Sequence, residues 1–204
     1  MGEVVALIDY GAGNLHSVEN ALKRVGAQVS LVSDADALAQ ADRIVLPGVG
    51  AFAACYEGLA SLPGMIDALE SRVLRDGVPF LGICVGMQLL ATRGLEHGET
   101  QGLGWIEGEV LALEPSDKVK VPHMGWNDVT PGPWHETIEE GEAYFLHSYA
   151  FHAEDQRDVI ATTDHGGPVT AAVARQNILG VQFHPEKSQA YGLALLERFL
   201  EWKP

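Results

Sequence analysis

The chemistry this chain could perform begins at one cysteine framed by glycines, Gly82-Ile83-Cys84-Val85-Gly86. An apolar run, Phe80-Leu81-Gly82-Ile83, stops there, and a second, Val85-Gly86-Met87-Gln88-Leu89-Leu90, starts at once. That layout puts a nucleophile on a sharp strand-to-helix turn, where flanking glycines leave room for the backbone. The N-terminus of the following helix favours the thiolate, the form that attacks a carbonyl carbon. Such a thiol needs a base, and His184-Pro185-Glu186 closes the apolar segment Gly180-Val181-Gln182-Phe183. Residues two apart in extended chain face the same side, so Glu186 can hold the His184 ring and stabilise its protonated form. Acyl transfer also needs N–H donors for a developing oxyanion. The turn offers the Val85 N–H, and the Gly48-Val49-Gly50 loop offers a second. That loop lacks the Lys-Ser/Thr ending of a nucleotide phosphate loop. No metal site is expected, because His184 and Glu186 have no third and fourth ligand at usable spacing.

These residues need a scaffold with a full core, and 204 residues suit one domain spanning 1–204. Hydrophobic residues at 47% and charged ones at 20% fit a soluble α/β protein, and no apolar run reaches membrane-spanning length. A formal charge of −15 with scattered Lys and Arg argues against nucleic acid as a partner. The acid-rich piece 136–142 reads as solvated surface. Met1 to Tyr10 reads as a buried strand rather than a basic leader, so a cytoplasmic location is expected. In such a reducing compartment Cys55 and Cys84 stay free thiols, and Cys55 is assigned to packing.

The order of elements is that of a mostly parallel, doubly wound sheet with flanking helices. Val4–Ile8, Gln28–Val32, Arg43–Leu46 and the strand before Cys84 are apolar strands. Ser17 to Val25, Asp36 to Ala41 and Met65 to Arg75 are the helices between them. Pro47-Gly48-Val49-Gly50 is the loop at the end of the third strand, on the edge where ligands gather in such sheets. From about Gly104 the chain changes to short strands, Val110–Leu113, Ala143–Leu146, Val159–Thr162 and Thr170–Val173, read as a smaller antiparallel sheet grafted onto the core. It returns through Ile178–Phe183 and ends in an amphipathic helix from Gly192 to Trp202. No internal repeat is present.

With Gly-Ile-Cys-Val-Gly-Met-Gln around Cys84, His184-Pro185-Glu186 and Pro47-Gly48-Val49-Gly50 in one chain, the sequence resembles the triad-type (class I) glutamine amidotransferases. The segments 9–15, Pro122-His123-Met124-Gly125-Trp126-Asn127, 144–149 and 183–188 narrow the resemblance to one branch, glutaminase subunits that serve a (β/α)₈ barrel cyclase. The resemblance covers essentially the whole chain. It implies a flavodoxin-like amidotransferase fold, glutamine as substrate and no cofactor. It implies that Gly48, Gly50 and Gln88 help seat glutamine, with His147, Ser148 and Tyr149 lining the same pocket. It also implies that the loop around Val49 holds its oxyanion donor turned away until the partner is engaged, by a flip of the Val49–Gly50 peptide. Asn14, His123, Met124, Trp126, Asn127 and Lys187 would face the cyclase, Lys187 pairing with one of its acids. One departure is Val85, where the family usually carries leucine; only its backbone is needed. Three other readings share these residues: an amidotransferase of another pathway, a stand-alone cysteine hydrolase, and a catalytically silent glutamine-binding subunit.

Overall fold

The computed structural model describes residues 3–116, 119–132 and 135–204. Its principal sheet is built on continuous apolar runs. The strands β1 (Val4–Ile8), β2 (Gln28–Val32), β3 (Arg43–Gly48) and β4 (Phe80–Cys84) alternate with α1 (Leu15–Arg24), α2 (Phe52–Ala60) and α3 (Met65–Glu70). Every residue of β3 and β4 is buried, as expected of strands covered on both faces, whereas β2 is mostly exposed at the sheet edge. After β4 come α4 (Val85–Gln88), β5 (Arg93–Gly94), β6 (Thr100–Gln101), β7 (Gly108–Ala112), β8 (His123–Pro131), β9 (Gly141–His147) and β10 (Tyr149–Ala153). The chain finishes with β11 (Val159–Asp164), β12 (Pro168–Arg175), β13 (Ile178–Val181) and α5 (Gln189–Glu201).

The sheet has nine strands in the order β2-β1-β3-β4-β13-β12-β11-β8-β9. Its first five are parallel and follow the flavodoxin-like order, with the switch of direction between β1 and β3. The last four run antiparallel. A second sheet, β10-β7-β5-β6, sits apart. This corrects the expected graft: of the four short strands read from the sequence, three extend the main sheet and only Val110–Ala112 joins the small one. That small sheet also contains a parallel pair, β5 with β7, and so is not purely antiparallel.

All six phenylalanines of the chain lie in the core, fully buried. Truncating any one to alanine would cost about 3–5 kcal/mol. Arg43 is also buried, and its Nη1 donates to the Phe199 and Trp202 carbonyls, both at 2.9 Å, tying the end of α5 to β3. Helix C-termini leave such carbonyls without internal partners and favour a cation there. Three helix expectations change. Asp36 to Ala41 is a 3₁₀ turn, Ala35–Gln40, started by Asp34 accepting from the Asp36 N–H. The stretch Met65 to Arg75 is α3 followed by one wide turn, Ser71–Arg75. The last helix begins at Gln189, three residues before Gly192. Among the described residues no helix is long and apolar enough to cross a membrane.

Candidate active site

The nucleophile turn is set by contact between backbones. Cys84 has φ +55 and ψ −110, a region that costs an L-residue about 1–3 kcal/mol and persists only where its surroundings enforce it. They do. A Cβ on Gly86 would fall 1.9 Å from the Leu46 carbonyl oxygen, and one on Gly82 would fall 2.5 Å from the Gly86 oxygen. Glycine on both sides of Cys84 is therefore required by close approach. The helix that follows is shorter than the sequence suggested. Being a single turn, α4 brings only a slight dipole to the sulfur, so stabilisation of the thiolate falls mainly to neighbouring side chains.

His184 follows β13, the strand beside β4 in the sheet, with Val181 in register with Ile83. Its Nδ1 lies 2.9 Å from Glu186 Oε1, and both side chains are buried. The expected pair forms, but by another route: Pro185–Lys187 is a 3₁₀ turn rather than extended chain, and the turn folds Glu186 back under the ring. Burial opposes the His184 imidazolium. Hydrogen bonding to Cys84 and Glu186, with their charges, outweighs it and pushes the pKa up to about 9. At neutral pH the ring is thus a proton donor facing the Cys84 sulfur. Cys84 Sγ also lies 3.6 Å from Gln182 Nε2 and 3.9 Å from the Leu146 carbonyl oxygen.

Cys84 and His184 open on a cavity of about 500 Å³ whose wall includes Asn14, Val49, Gly50, Val85, Gln88, His147, Ser148, Tyr149 and Lys187. Eleven of the residues singled out in the sequence are thereby brought together. Val85 is the first residue of α4, so its N–H has no partner within the helix and is placed to donate toward the cavity it lines. On the other wall, the Val49 carbonyl accepts from Cys55 Sγ at 3.5 Å, which points the Gly50 N–H of the same peptide in the opposite direction. Gly50 has φ +102 and no heavy atom within 4 Å of where a Cβ would stand, and Val49 is 40% exposed. The segment has room to turn. Cys55 itself is fully buried and its thiol is pushed up by that burial, consistent with the packing role.

Gly48 does not line the cavity. It is buried against the turn, where a Cβ would come within 2.7 Å of the Gly86 nitrogen. His123 is 4% exposed and therefore lies beneath the surface, with its Nδ1 3.0 Å from His147 Nε2. Asn127 Nδ2 is bound to His123 and to the Asp164 carbonyl, so this side chain is engaged within the chain. Met124 and Trp126 do project from β8, 62% and 46% exposed, enough area for a docking face. They pair across to Leu146 and Tyr144 of β9, and Lys187 Nζ sits 5.9 Å over the Tyr144 ring. Among the described residues Lys187 forms no ion pair with a carboxylate.

Two polar groups at the site escaped the sequence reading. Glu96 lines the cavity, and its Oε2 accepts from the Phe52 N–H at 2.7 Å. Nothing local marks it, since it lies in an irregular loop between two very short strands. Gln182 did carry a signal: it is the one amide inside the apolar run Ile178–Phe183 and it is fully buried. Among the described residues no cluster of three or more His, Cys, Asp or Glu is placed to hold a metal.

A cysteine on a strained turn, a histidine–glutamate pair beside it and a flavodoxin-like sheet beneath define a cysteine-dependent acyl-transfer enzyme. The family model for class-I glutamine amidotransferases matches residues 6–202, and the chain belongs to that family. Three relatives, all named imidazole glycerol phosphate synthase subunit HisH, place it in the HisH group. That of Zymomonas mobilis is 62% identical over 98% of this chain and 96% of its own length. That of Caulobacter vibrioides is 53% identical over 99% and 100%, and that of Brucella suis 52% over 98% and 99%. Among solved structures, a glutamine amidotransferase superposes with a TM-score of 0.77 at 22% identity, covering 98% of both chains. The structure of PurLQS from Thermotoga maritima gives 0.73 at 19% identity, covering 98% of each. Both support the fold.

Proposed function

We propose that this chain acts as one domain, the glutaminase subunit of an imidazole glycerol phosphate synthase. It hydrolyses glutamine to glutamate and ammonia and delivers the ammonia to a (β/α)₈ barrel cyclase. The cyclase makes imidazole glycerol phosphate and an aminoimidazole carboxamide ribotide in histidine biosynthesis. The carrying observation is the meeting of Cys84 with the buried His184–Glu186 pair at the wall of a cavity that also holds a carboxylate, Glu96. Free glutamine brings an α-ammonium, and Glu96 is the acid to receive it. Gln88, His147, Ser148 and Tyr149 surround the rest of the molecule, with Gly50 beside them.

Cys84 Sγ attacks the side-chain carboxamide carbon, and the oxyanion is held by the Val85 N–H and by a donor from Val49–Gly50. The C–N bond breaks as His184 gives its proton to the departing nitrogen, releasing ammonia and leaving a glutamyl thioester. His184, now neutral, takes a proton from water as the water oxygen attacks the thioester. Glutamate leaves and the thiolate–imidazolium pair is restored. Glu186 fixes the ring through both steps.

The cyclase docks on Met124, Trp126, Tyr144 and the mouth of the cavity, where Asn14 and Lys187 stand. Lys187 lies over the Tyr144 ring with no carboxylate partner among the described residues, and is the cation to meet an acid of the barrel. The Val49–Gly50 peptide turns when that partner is engaged, which restrains wasteful hydrolysis. Two free cysteines suit a reducing compartment, the cytoplasm.

The test is glutamate release by the purified chain, alone and with the cyclase and its nucleotide substrate, with Cys84→Ala as control. Strong, Cys84-dependent stimulation in the complex is expected. Substantial turnover alone, unaffected by the cyclase, would overturn the partnership and favour a stand-alone hydrolase.

A further inference from the structure

The Gln182 amide faces the catalytic sulfur with its nitrogen, and the surrounding hydrogen bonds decide that orientation. Its Oε1 accepts from Gln88 Nε2 at 3.0 Å, and the second hydrogen of that Gln88 nitrogen goes to the Tyr149 carbonyl, also at 3.0 Å. The same carbonyl lies 2.8 Å from His147 Nδ1. A carbonyl can only accept, so His147 carries its proton on Nδ1, and in the neutral ring Nε2 must accept. It accepts from His123 Nδ1 at 3.0 Å, and His123 Nε2 in turn accepts from Asn127 Nδ2 at 3.0 Å. The Asn127 amide is fixed by its own backbone partners, donating to the Asp164 carbonyl and accepting from the Asp128 N–H. Every hydrogen from Asn127 to Tyr149 therefore runs one way. With the Tyr149 carbonyl held in place, Gln88 presents N–H to Gln182 Oε1, and Gln182 presents N–H to Cys84. Reversing any one amide or ring would set donor against donor or acceptor against acceptor, which is costliest at the buried Gln88–Gln182 and His123–His147 contacts.

We propose that Gln182 holds the Cys84 thiolate through its Nε2–H, as a second donor beside His184, and that Gln88 sets the orientation of that donor. This rests on Cys84 being the nucleophile, as proposed above. The role matters because α4 is a single turn and contributes little dipole to the sulfur. An amide hydrogen directed at Sγ favours the charged form, whereas the amide oxygen in its place would oppose it. It also gives Gln88 a task that needs no glutamine in the pocket.

The experiment is the rate of iodoacetamide alkylation at Cys84 as a function of pH in the full chain, without glutamine, read by mass spectrometry so that Cys55 is scored separately. Gln182→Met keeps the bulk and removes the donor. Its alkylation profile is expected to move to higher pH, with a rate at neutral pH about tenfold lower, the effect of losing one hydrogen bond to a charged group. Glutaminase kcat in the cyclase complex should fall while KM for glutamine stays near that of the unaltered chain. Gln88→Met frees the Gln182 amide to rotate and should shift the profile in the same direction. A role in seating substrate would leave that assay unmoved. Profiles of both variants that match the unaltered chain would overturn the proposal. If circular dichroism shows Gln182→Met to be unfolded, the Gln88→Met profile decides alone. Glutamate release by Cys84→Ala would instead overturn the nucleophile reading, and this inference with it.

Discussion

Acid should loosen this protein through His147, and the size of the effect can be worked out. Burial, set against the hydrogen bond to the Tyr149 carbonyl, pushes this ring from its ordinary 6.5 down to about 4. A histidine kept neutral in the fold but free to charge when unfolded contributes stability that is complete above 6.5. That contribution disappears as pH falls through 6.5 toward 4. Between about pH 7 and pH 5 the unfolded chain takes up about three-quarters of a proton at this site while the folded chain takes up almost none, a loss of about 2 kcal/mol. His184 works in the opposite sense, since its pKa is raised to about 9, and it gains slightly over the same range. Other groups titrate as well, so the comparison is made against His147→Gln, whose Oε1 can still accept from the His123 ring. Urea unfolding at both pH values gives the free energies. The variant should lose about 2 kcal/mol less than the unaltered chain on going from pH 7 to pH 5. Equal losses in the two proteins would refute the view that His147 is held neutral by burial.

Three further outcomes follow from the site. Gly86→Ala, whose Cβ would stand 1.9 Å from the Leu46 oxygen, should lower stability by about 3 kcal/mol or more, read by denaturant midpoint, and remove glutaminase activity. Gly50→Pro takes away an N–H and cannot reach the φ of +102 seen there, so glutamine turnover in the complex should vanish; near-normal kcat would exclude the loop from oxyanion binding. Lys187→Ala should weaken stimulation by the cyclase, or binding to it by roughly tenfold, with Cys84 alkylation intact. Unchanged stimulation and binding would remove Lys187 from the interface.

What could be read from the sequence was whatever the sheet centre or the chemistry imposes locally. The central strands are legible because burial on both faces demands unbroken apolar runs, and the nucleophile turn because two glycines must flank it. Helix α2 was missed: its N-cap is Ala51, with no side-chain cap, and Gly58 lies inside it. Strand β8 was missed for the opposite reason. Gly125, Asn127, Asp128 and Pro131 all favour turns, and it is a strand only because β9 and β11 pair with it on either side. The His184–Glu186 contact was anticipated through extended geometry and is made through a 3₁₀ turn, since both conformations bring the two side chains together. Glu96 and the buried placing of His123 depend on contacts distant in sequence, which no spacing rule encodes.

The central row of the sheet explains why so short a helix can carry a nucleophile. Leu46, Gly82 and Gly180 are neighbours in register across β3, β4 and β13. The turn after Cys84 settles onto that row. Side chains at Gly82 and Gly180 would collide with the Gly86 oxygen at 2.5 Å and with Met87 Cγ at 2.8 Å, and one at Gly86 would strike Leu46. A longer helix would owe its position to side-chain packing along its length, whereas α4 is fixed by backbone pressed on backbone. The same row fixes the partner residues, because the chain leaves β13 just past Gly180 and runs on through Gln182 to His184. One register of three parallel strands therefore sets the thiol, its base and its amide donor together. A slip of β13 by one residue would displace both groups from the sulfur, and glycine at 180 is what makes that slip unfavourable: Leu179 or Val181 in its place would meet Met87.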